Sequence, residues 1–343
     1  MLRMCRGLTL LLVVTLGLGS GVVGGELLLR ASGSSPGPVP VPADYGVTAL
    51  QPPNELSPET GWQLKPGRYE VRQAGRAVTI TVAADGSRRS APDPASVGGS
   101  PGIIFLGDSC TFGHGLFDEE TLPWRVQQAL PGERVANFAV GGFGTCQVFL
   151  RLRSLLHPGP TGRELHPRIV VYGFSQFQES RSIADPRKDY WLAMASPRRS
   201  SLYPRCTLAG GEVVSQPPQQ WSVLLPFTGH LALSRLLTNA RLEWLARPRL
   251  AEQRRVSEAL LRTMHQVARE HGATLLVLLQ YLDEPALTHY RGFLAREGIS
   301  FVDGAAIAAR PDLRLEDGHP APGMVEVWSR QLVEVLKHPD GAG

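Results

Sequence analysis

Three short motifs in this chain contain the residue types of an acyl-transfer centre. Gly107-Asp108-Ser109 follows the apolar run Ile103–Leu106, Asn137-Phe138-Ala139-Val140-Gly141-Gly142 comes next, and Asp317-Gly318-His319-Pro320 lies near the C-terminus. A serine hydroxyl attacks an acyl carbon when a base takes its proton and N–H donors stabilise the carbonyl oxygen. These residue types make Ser109 a candidate nucleophile and His319 a candidate base. The alternative at the first motif is that Asp108 or Ser109 only caps the following helix.

The elements that would position these motifs alternate from Ile103 onward. Short apolar strands separated by helices are typical of a parallel sheet with helices on both faces. The predicted strands are Ile103–Leu106, Val135–Phe138, Ile169–Gly173, Thr274–Leu279 and Ile299–Val302, and the predicted helices are Leu122–Leu130, Gln147–Leu156, Ala251–His271, Pro285–Glu297 and Met324–Leu336. Ser109 would then lie just past the carboxyl end of a strand, where open α/β sheets carry their chemistry.

The order of the three motifs resembles the SGNH (GDSL-type) hydrolase superfamily, over roughly residues 102–336. The resemblance implies a three-layer α/β/α, flavodoxin-like fold with a central parallel sheet of about five strands. It also implies a serine esterase in which a carboxylate orients His319. Family members usually place that Asp where this chain has Glu316. Asp317 is preferred here, because Asp-Gly-His-Pro also occurs in similar membrane-linked relatives, and Glu316 is the alternate.

The resemblance also implies where the oxyanion donors lie. In this superfamily they are the backbone N–H of the serine, the backbone N–H of a second-motif glycine, and an Asn side chain. Ser109 and Gly142 match the first two. A glycine at 142 lets the backbone approach a substrate closely, and the alternative is an ordinary turn glycine. Asn137 is expected to hold this loop in place.

The third motif departs from the family pattern. Where the family has Gly-x-Asn-Asp, this chain has Gly173-Phe174-Ser175-Gln176, and a serine offers no amide donor. If the protein is an enzyme, a neighbouring side chain must replace the Asn. Gln176 is the predicted oxyanion donor, with Gln178 as the other candidate.

The sequence divides into four parts. We assign residues 1–30 to a signal anchor or signal peptide, 31–44 to a Pro/Ser-rich tether, 45–101 to a small β-containing region, and 102–340 to the hydrolase-like domain. Within the region 45–101, the alternating segments Tyr69–Val71 and Val78–Val82 predict a hairpin around Ala74-Gly75. An insert at 177–239 interrupts the larger domain and is expected to form a lid or wall over the strand ends.

The N-terminal run predicts export. Residues Gly7–Gly25 carry no charge, and Arg3 and Arg6 precede them, which orients the N-terminus in the cytoplasm and the body on the periplasmic or extracellular side. The run is about long enough to remain as a membrane anchor. Cleavage is the alternative, because small residues at Val23 and Gly25 fit a signal-peptide site.

Charge and cysteine usage exclude several classes. The net charge of +4 over 343 residues comes from scattered Arg residues, which argues against a nucleic-acid partner. No His or Cys spacing is typical of a metal site, and Gly113-His114-Gly115 is too short for a phosphate loop, so neither metal nor cofactor is predicted. Of the four cysteines, Cys5, Cys110, Cys146 and Cys206, a bridge between Cys110 and Cys146 is conceivable, but buried free thiols are expected.

Three functions remain open at this point. The first is an exported, membrane-tethered esterase that hydrolyses small O-acyl esters, with O-acetyl esters on an envelope glycan or a lipid as the expected substrate. The second is an O-acyltransferase acting on cell-envelope or exported polysaccharide. The third, which the missing Asn favours, is a carbohydrate-binding module with a degenerate site.

Overall fold

The computed structural model describes residues 19–36, 52–92, 100–157, 164–188, 203–219, 227 and 229–337. Its strands are β1 (Asn54–Ser57), β2 (Gly61–Leu64), β3 (Gly67–Gln73), β4 (Arg76–Val82), β5 (Ile103–Leu106), β6 (Val135–Asn137), β7 (Ile169–Phe174), β8 (Arg205–Ala209), β9 (Glu212–Gln216), β10 (Thr274–Leu279) and β11 (Ser300–Asp303). Its helices are α1 (Ser109–Phe112), α2 (Leu122–Ala129), α3 (Thr145–Leu156), α4 (Gln178–Ser182), α5 (Ala232–Glu270), α6 (Glu284–Arg296), α7 (Ala305–Ala308) and α8 (Pro322–Lys337).

A parallel sheet of five strands forms the centre of the fold, in the order β11-β10-β7-β5-β6. Counted along the chain, this is the flavodoxin-like order 2-1-3-4-5. The predicted strands are confirmed, with ends that differ by no more than a residue. The chain reverses its direction of winding between β5 and β7, so the carboxyl end of β5 lies at the switch point, where such sheets bind ligands.

Side chains of the sheet alternate between two cores. Ile104 and Leu106 pack into one core, with residues of α3, α5 and α6, whereas Ile103 and Phe105 pack into the other, with residues of α2 and α8. This period-two alternation is what a strand covered on both faces requires. The predicted three-layer α/β/α class is therefore confirmed, and it fixes the strand ends rigidly in the middle of the molecule.

Helix α5 is much longer than the sequence predicts. The prediction was Ala251–His271, but the helix begins at Ala232, inside the predicted insert, and continues through Pro248. A proline removes a helical hydrogen bond and usually breaks a helix. Here the turns before Pro248 are stabilised by packing, because Leu242 is 5% exposed and Ala246 is fully buried.

The N-terminal β region packs against the sheet's carboxyl edge. The hairpin β3–β4 is confirmed, and its turn residues Ala74 (φ 49°) and Gly75 (φ 74°) have the positive φ values of a type I′ turn. In the β1–β2 pair, the Trp62 indole donates to the carbonyl oxygen of Gly141 at 2.9 Å. Both features bring this small region into contact with the loops that carry the motifs.

A disulfide corrects the prediction for the cysteines. Cys146, at the start of α3, is bonded to Cys206 in β8, whereas Cys110 is a buried free thiol. No sequence pattern predicts this pair, because Cys206 lies 60 residues away inside the insert. A bridge that closes a loop of this length lowers the conformational entropy of the unfolded chain, which stabilises the folded state by about 4 kcal/mol. It ties the β8–β9 hairpin to the main domain.

A helix at residues 19–31 docks on the start of α5. The Glu26 carboxylate accepts hydrogen bonds from the backbone N–H of Leu233 at 2.9 Å and of Ala232 at 3.0 Å, which lowers the pKa of Glu26 to about 2. Among the described residues, no helix is both long enough and apolar enough to span a membrane. Residues 7–18 of the uncharged run lie outside the described part of the chain.

Candidate active site

The backbone around Ser109 is shaped by its neighbours at the end of β5. Gly107 has φ +153°, and a Cβ there would come within 2.5 Å of the Thr111 hydroxyl, so only glycine fits. Asp108 caps α1 by accepting from the backbone N–H of Cys110 at 2.9 Å. Ser109 itself is the first residue of α1 and is 4% exposed. Asp108 is therefore the residue that caps the helix, and the Ser109 hydroxyl is not used for capping.

That hydroxyl meets His319 at the mouth of a cavity. Ser109 Oγ and His319 Nε2 lie 2.9 Å apart, although the residues are 210 positions apart in the chain. On the other side of the ring, His319 Nδ1 lies 2.9 Å from Asp317 Oδ2. The N–H direction at Nδ1 is not aligned with that oxygen, so the contact is a close ion-pair distance without a linear hydrogen bond. A hydroxyl, an imidazole and a carboxylate therefore lie in series.

The structure distinguishes Asp317 from Glu316. The tight turn at Gly318 (φ +90°) lets the Asp317 carboxylate also accept from the backbone N–H of His319 at 3.1 Å. Glu316 points elsewhere, because its carboxylate lies against the β3–β4 turn, where a Cβ on Gly75 would come within 2.6 Å of it. Of the two sequence candidates, the structure brings Asp317 to the ring of His319.

A second imidazole shares the carboxylate. His114 Nε2 lies 3.3 Å from Asp317 Oδ2, and the rings of His114 and His319 are 4.3 Å apart. Burial alone would raise the pKa of Asp317, but its contacts with the rings of His114 and His319 and with the backbone N–H of His319 outweigh burial and hold that pKa well below its ordinary value. Burial lowers the pKa of His114, and the contact with Asp317 opposes that shift.

These three side chains also have the spacing of a cation site. Their nearest nitrogen and oxygen atoms all lie within 4.8 Å of one another. A divalent cation could be held by two imidazoles and a carboxylate. Such a cation would compete with the contacts that the Asp317 carboxylate makes to the two rings.

The second motif lies directly beside the first. The backbone N–H of Val140 donates to the carbonyl oxygen of Gly107 at 3.1 Å. Asn137 holds the two loops together, as predicted: its Nδ2 donates to the Phe112 carbonyl at 3.2 Å and its Oδ1 accepts from Ala139 at 3.2 Å. Gly142 is buried in this loop with φ +82°. The loop thus presents its backbone next to the serine-bearing turn.

The third motif does not bring a glutamine to Ser109, which corrects the prediction. The Gln176 amide is used by Asp283: its Nε2 donates to Oδ2 and its Oε1 accepts from the backbone N–H, each at 3.2 Å. The Gln178 amide is buried, donates to the Gly173 carbonyl at 3.1 Å and accepts from the Tyr172 hydroxyl. Neither residue lines the cavity. The chain turns immediately after β7, so the expected alternation of side chains stops there.

The cavity at Ser109 has a volume of about 240 Å³ and a cationic wall. The cations are Arg181, Lys188 and Arg314, whereas the lining carboxylate is Asp317. Arg181 and Lys188 belong to the start of the insert predicted at 177–239, which therefore forms part of the wall. Burial, with the Arg181 charge nearby, lowers the pKa of Lys188 to about 7.

A buried arginine from the N-terminal region supports the turn that carries Ser109. Arg88 is fully buried; its guanidinium donates to the carbonyls of Gly113 at 2.8 Å and Phe112 at 3.1 Å, and pairs with Asp118 at 2.9 Å. Its own backbone N–H donates to Asn137 at 2.8 Å. The Phe112 carbonyl also accepts from Asn137 Nδ2, and the Gly113 carbonyl from the backbone N–H of Leu116, so Arg88 adds further bonds that tie the end of α1 to the N-terminal region.

Sequence reasoning missed the roles of His114, Arg181 and Lys188. His114 follows the Gly-Asp-Ser motif closely, and that position was a usable signal once Asp317 and Ser109 were expected together. Arg181 and Lys188 had none, because an insert without a recognisable motif gives no indication of which residues face the site.

No protein family profile matches the chain, and no curated protein matches its sequence. Among solved structures, TesA is similar with a TM-score of 0.40 and 18% identity, over 68% of this chain and 97% of that one. The psychrotrophic esterase EstA from Pseudoalteromonas sp. has a TM-score of 0.38 and 12% identity, over 68% and 96%. AlinE4, an SGNH-hydrolase family esterase, has a TM-score of 0.35 and 16% identity, over 71% and 97%. Scores of this size carry no argument about activity, which must rest on the site itself.

Proposed function

We propose that this protein is a serine esterase that hydrolyses O-acyl esters. One observation carries the proposal: Ser109 Oγ lies 2.9 Å from His319 Nε2, and the opposite ring nitrogen lies 2.9 Å from the Asp317 carboxylate. Nucleophile, base and orienting acid are thus within reach of one another before any substrate binds. The arrangement lies at the switch point of the sheet and opens into a cavity.

The reaction follows from these contacts. His319 Nε2 takes the proton as Ser109 Oγ attacks the ester carbon, and Asp317 stabilises the imidazolium. The tetrahedral adduct collapses, the bond to the alcohol oxygen breaks, and the alcohol leaves with the proton from His319. Water, deprotonated by the same nitrogen, then attacks the acyl-serine. The second adduct collapses, the bond between the acyl carbon and Ser109 Oγ breaks, His319 returns the proton to Oγ, and the carboxylic acid leaves. The backbone N–H groups of Ser109 and Gly142 are the proposed donors to the carbonyl oxygen in both adducts.

The cavity supports a small acyl group as the substrate. Its volume of about 240 Å³ suits an acetyl or other short acyl ester, while the attached glycan or lipid would extend into solvent. The aromatic side chains of Phe177 and Tyr281 supply apolar surface next to the polar triad. We therefore propose O-acetyl esters on an envelope glycan or a lipid as the substrate class.

Export and membrane attachment are part of the same proposal. The Cys146–Cys206 disulfide favours an oxidising compartment. The uncharged run at 7–25 behind Arg3 and Arg6 favours an N-terminal anchor. In the described helix at 19–31, the apolar side chains of Val23, Leu27 and Leu28 are 60%, 63% and 73% exposed, as a segment near a bilayer would allow. Mass spectrometry of the mature protein would test this, since a new N-terminus at Val22 or Glu26 contradicts the anchor.

The activity test compares two serines. The wild type should hydrolyse p-nitrophenyl acetate, and Ser109→Ala should abolish turnover, whereas Ser154→Ala, on α3 outside the cavity, should leave the rate within twofold. Circular dichroism would verify that both variants fold. Undiminished turnover in Ser109→Ala contradicts the proposal. Transfer of the acetyl group to an added sugar in place of water would indicate an acyltransferase, and a folded wild type without turnover would indicate a binding module.

A further inference from the structure

One role in the proposed reaction has no residue assigned to it. A third donor to the carbonyl oxygen would stand beside the backbone N–H groups, yet Ser175 has no amide and the amides of Gln176 and Gln178 are bonded elsewhere. Side chains with N–H groups that line the cavity on the side of the insert are Arg181 and Lys188. Given the proposed function, on which this role depends, Arg181 is the candidate for it.

Arg181 is held between the two loops that carry the backbone donors. Its Nη1 lies 3.4 Å from the carboxylate of Asp108, the residue before Ser109. The same nitrogen donates at 3.2 Å to the carbonyl of Phe143, the residue after Gly142. The guanidinium also stacks over the Phe177 ring at 4.6 Å, and the side chain is 12% exposed. These contacts fix its position without conformational cost during the reaction.

The rest of the guanidinium is available for a substrate. All its hydrogen bonds to described residues are made by Nη1, so Nε–H and the two N–H groups of Nη2 donate to none of them. A guanidinium offers five N–H donors in one plane. Nη1 thus holds the guanidinium to the protein. The N–H groups of Nε and Nη2 can donate to a substrate oxygen in the cavity that Ser109 also lines.

A glycine in the second motif permits this approach. A Cβ at Gly144 would come within 2.6 Å of the Arg181 Cβ and 2.8 Å of the Ser182 backbone nitrogen. Contacts this short do not occur, so α4 can pack against the loop only because residue 144 has no side chain. The glycines of Gly141-Gly142-Phe143-Gly144 therefore serve two purposes, and the last of them brings Arg181 to its place.

Lys188 is less suited to the same role. Its Nζ is bonded to the Ser180 hydroxyl and lies 3.5 Å from the Phe177 carbonyl, so it is directed toward the loop at the start of the insert. Arginine keeps its charge at any working pH, and its donors lie in a fixed plane. Both properties favour Arg181 as the partner of a negative charge that forms transiently.

We propose that Arg181 is a catalytic residue that donates to the carbonyl oxygen in the tetrahedral adduct, in the place of the missing Asn amide. As Ser109 Oγ bonds to the ester carbon, the carbonyl π electrons move to the oxygen, and the N–H groups of Arg181 receive that charge. When the adduct collapses, the charge returns to the carbonyl and the bonds to Arg181 weaken. The guanidinium exchanges no proton at any step.

The test compares Arg181→Met, Arg181→Lys and the control Arg187→Ala. Arg187 lies in the same segment but pairs with Asp185 at 2.9 Å and with Glu243 at 3.3 Å. On p-nitrophenyl acetate, kcat should fall about 100-fold or more in Arg181→Met with KM within a few-fold, because one oxyanion donor is lost. Arg181→Lys should be intermediate, and Arg187→Ala should stay within twofold of the wild type.

A second measurement separates this role from a structural one. An aryl trifluoromethyl ketone forms a tetrahedral adduct with a serine, so its inhibition constant in Arg181→Met should rise by about the same factor as kcat/KM falls. Added guanidinium should restore part of the turnover of Arg181→Ala. If Arg181→Met keeps kcat within threefold while Ser109→Ala is inactive, the role of Arg181 is wrong and the esterase proposal stands. A wild type that neither turns over nor binds the ketone contradicts both.

Discussion

Two segments that line the cavity at Ser109 differ in how closely their chemistry follows a local motif. The loop that ends in Asp317-Gly318-His319 presents the proposed acid and the proposed base within one tight turn. The segment after β7 presents no functional group at the position where the third motif should supply one, and its cations come later, from Arg181 and Lys188. Proton transfer requires atoms within about 3 Å of each other, and a short motif in one tight turn can hold an acid and a base that close. A donor to an oxyanion can come from any element that reaches the site.

The largest change in kcat should come from a substitution at Asp317, in the loop with the tight turn. Asp317→Asn should lower kcat by about four orders of magnitude, because the ring of His319 loses the charge that orients and stabilises it. Glu316→Gln is the matched control, since that neighbouring carboxylate lies at the β3–β4 turn, and its rate should stay within twofold. Steady-state kinetics on p-nitrophenyl acetate measures both. Equal losses in the two variants would contradict the assignment of Asp317.

His114 should have a smaller effect on the same side. In His114→Ala the Asp317 carboxylate loses the donor at 3.3 Å and becomes freer to turn away from His319. A loss of roughly tenfold in kcat is expected for such a small misplacement. The pKa of Asp317 should rise, since His114 helps to hold it low. Carboxyl resonances followed by NMR during an acid titration would detect the rise, and an unchanged pKa would exclude the contact.

In the segment after β7, Lys188 should make the free energy of unfolding depend on pH. Its pKa is lowered to about 7 in the folded protein by burial, from about 10.5 in the unfolded chain. Between these values the unfolded chain binds the proton and the folded one does not, so stability rises with pH across that window. Lys188→Met removes the dependence and should therefore be more stable than the wild type at pH 6, with a difference that shrinks toward pH 10. Urea unfolding at both pH values measures it, and a constant difference would contradict the buried amine.

The smallest effect should be at the glutamines. Gln176→Ala should leave kcat within twofold, because its amide is bonded to Asp283 and does not face the cavity. The same kinetic assay that reports on Arg181 provides the comparison. If kcat falls in Gln176→Ala as much as in Arg181→Met, Gln176 and not Arg181 would be the donor to the carbonyl oxygen.

The sequence predicted the parts of this fold whose signals are local. The five strands and the hairpin at Ala74-Gly75 follow from apolar runs and turn residues. The meeting of Ser109 with His319 was expected from the resemblance of their motifs to the SGNH superfamily. The extent of α5 did not, because packing of Leu242 and Ala246 outweighs the effect of Pro248. The Cys146–Cys206 pair and the approach of Arg181 past Gly144 also could not be predicted, since both depend on how the insert folds back.

In the proposed reaction, Ser109 is a nucleophile that His319 activates. Incubation with a fluorophosphonate, followed by intact-mass and peptide mass spectrometry, measures this directly, because the reagent forms a stable bond only with an activated hydroxyl. The wild type should gain one phosphonyl group, mapped to Ser109, while Ser109→Ala should gain none and His319→Ala should react far more slowly. An unlabelled wild type, or equal labelling of Ser109→Ala, would contradict the account.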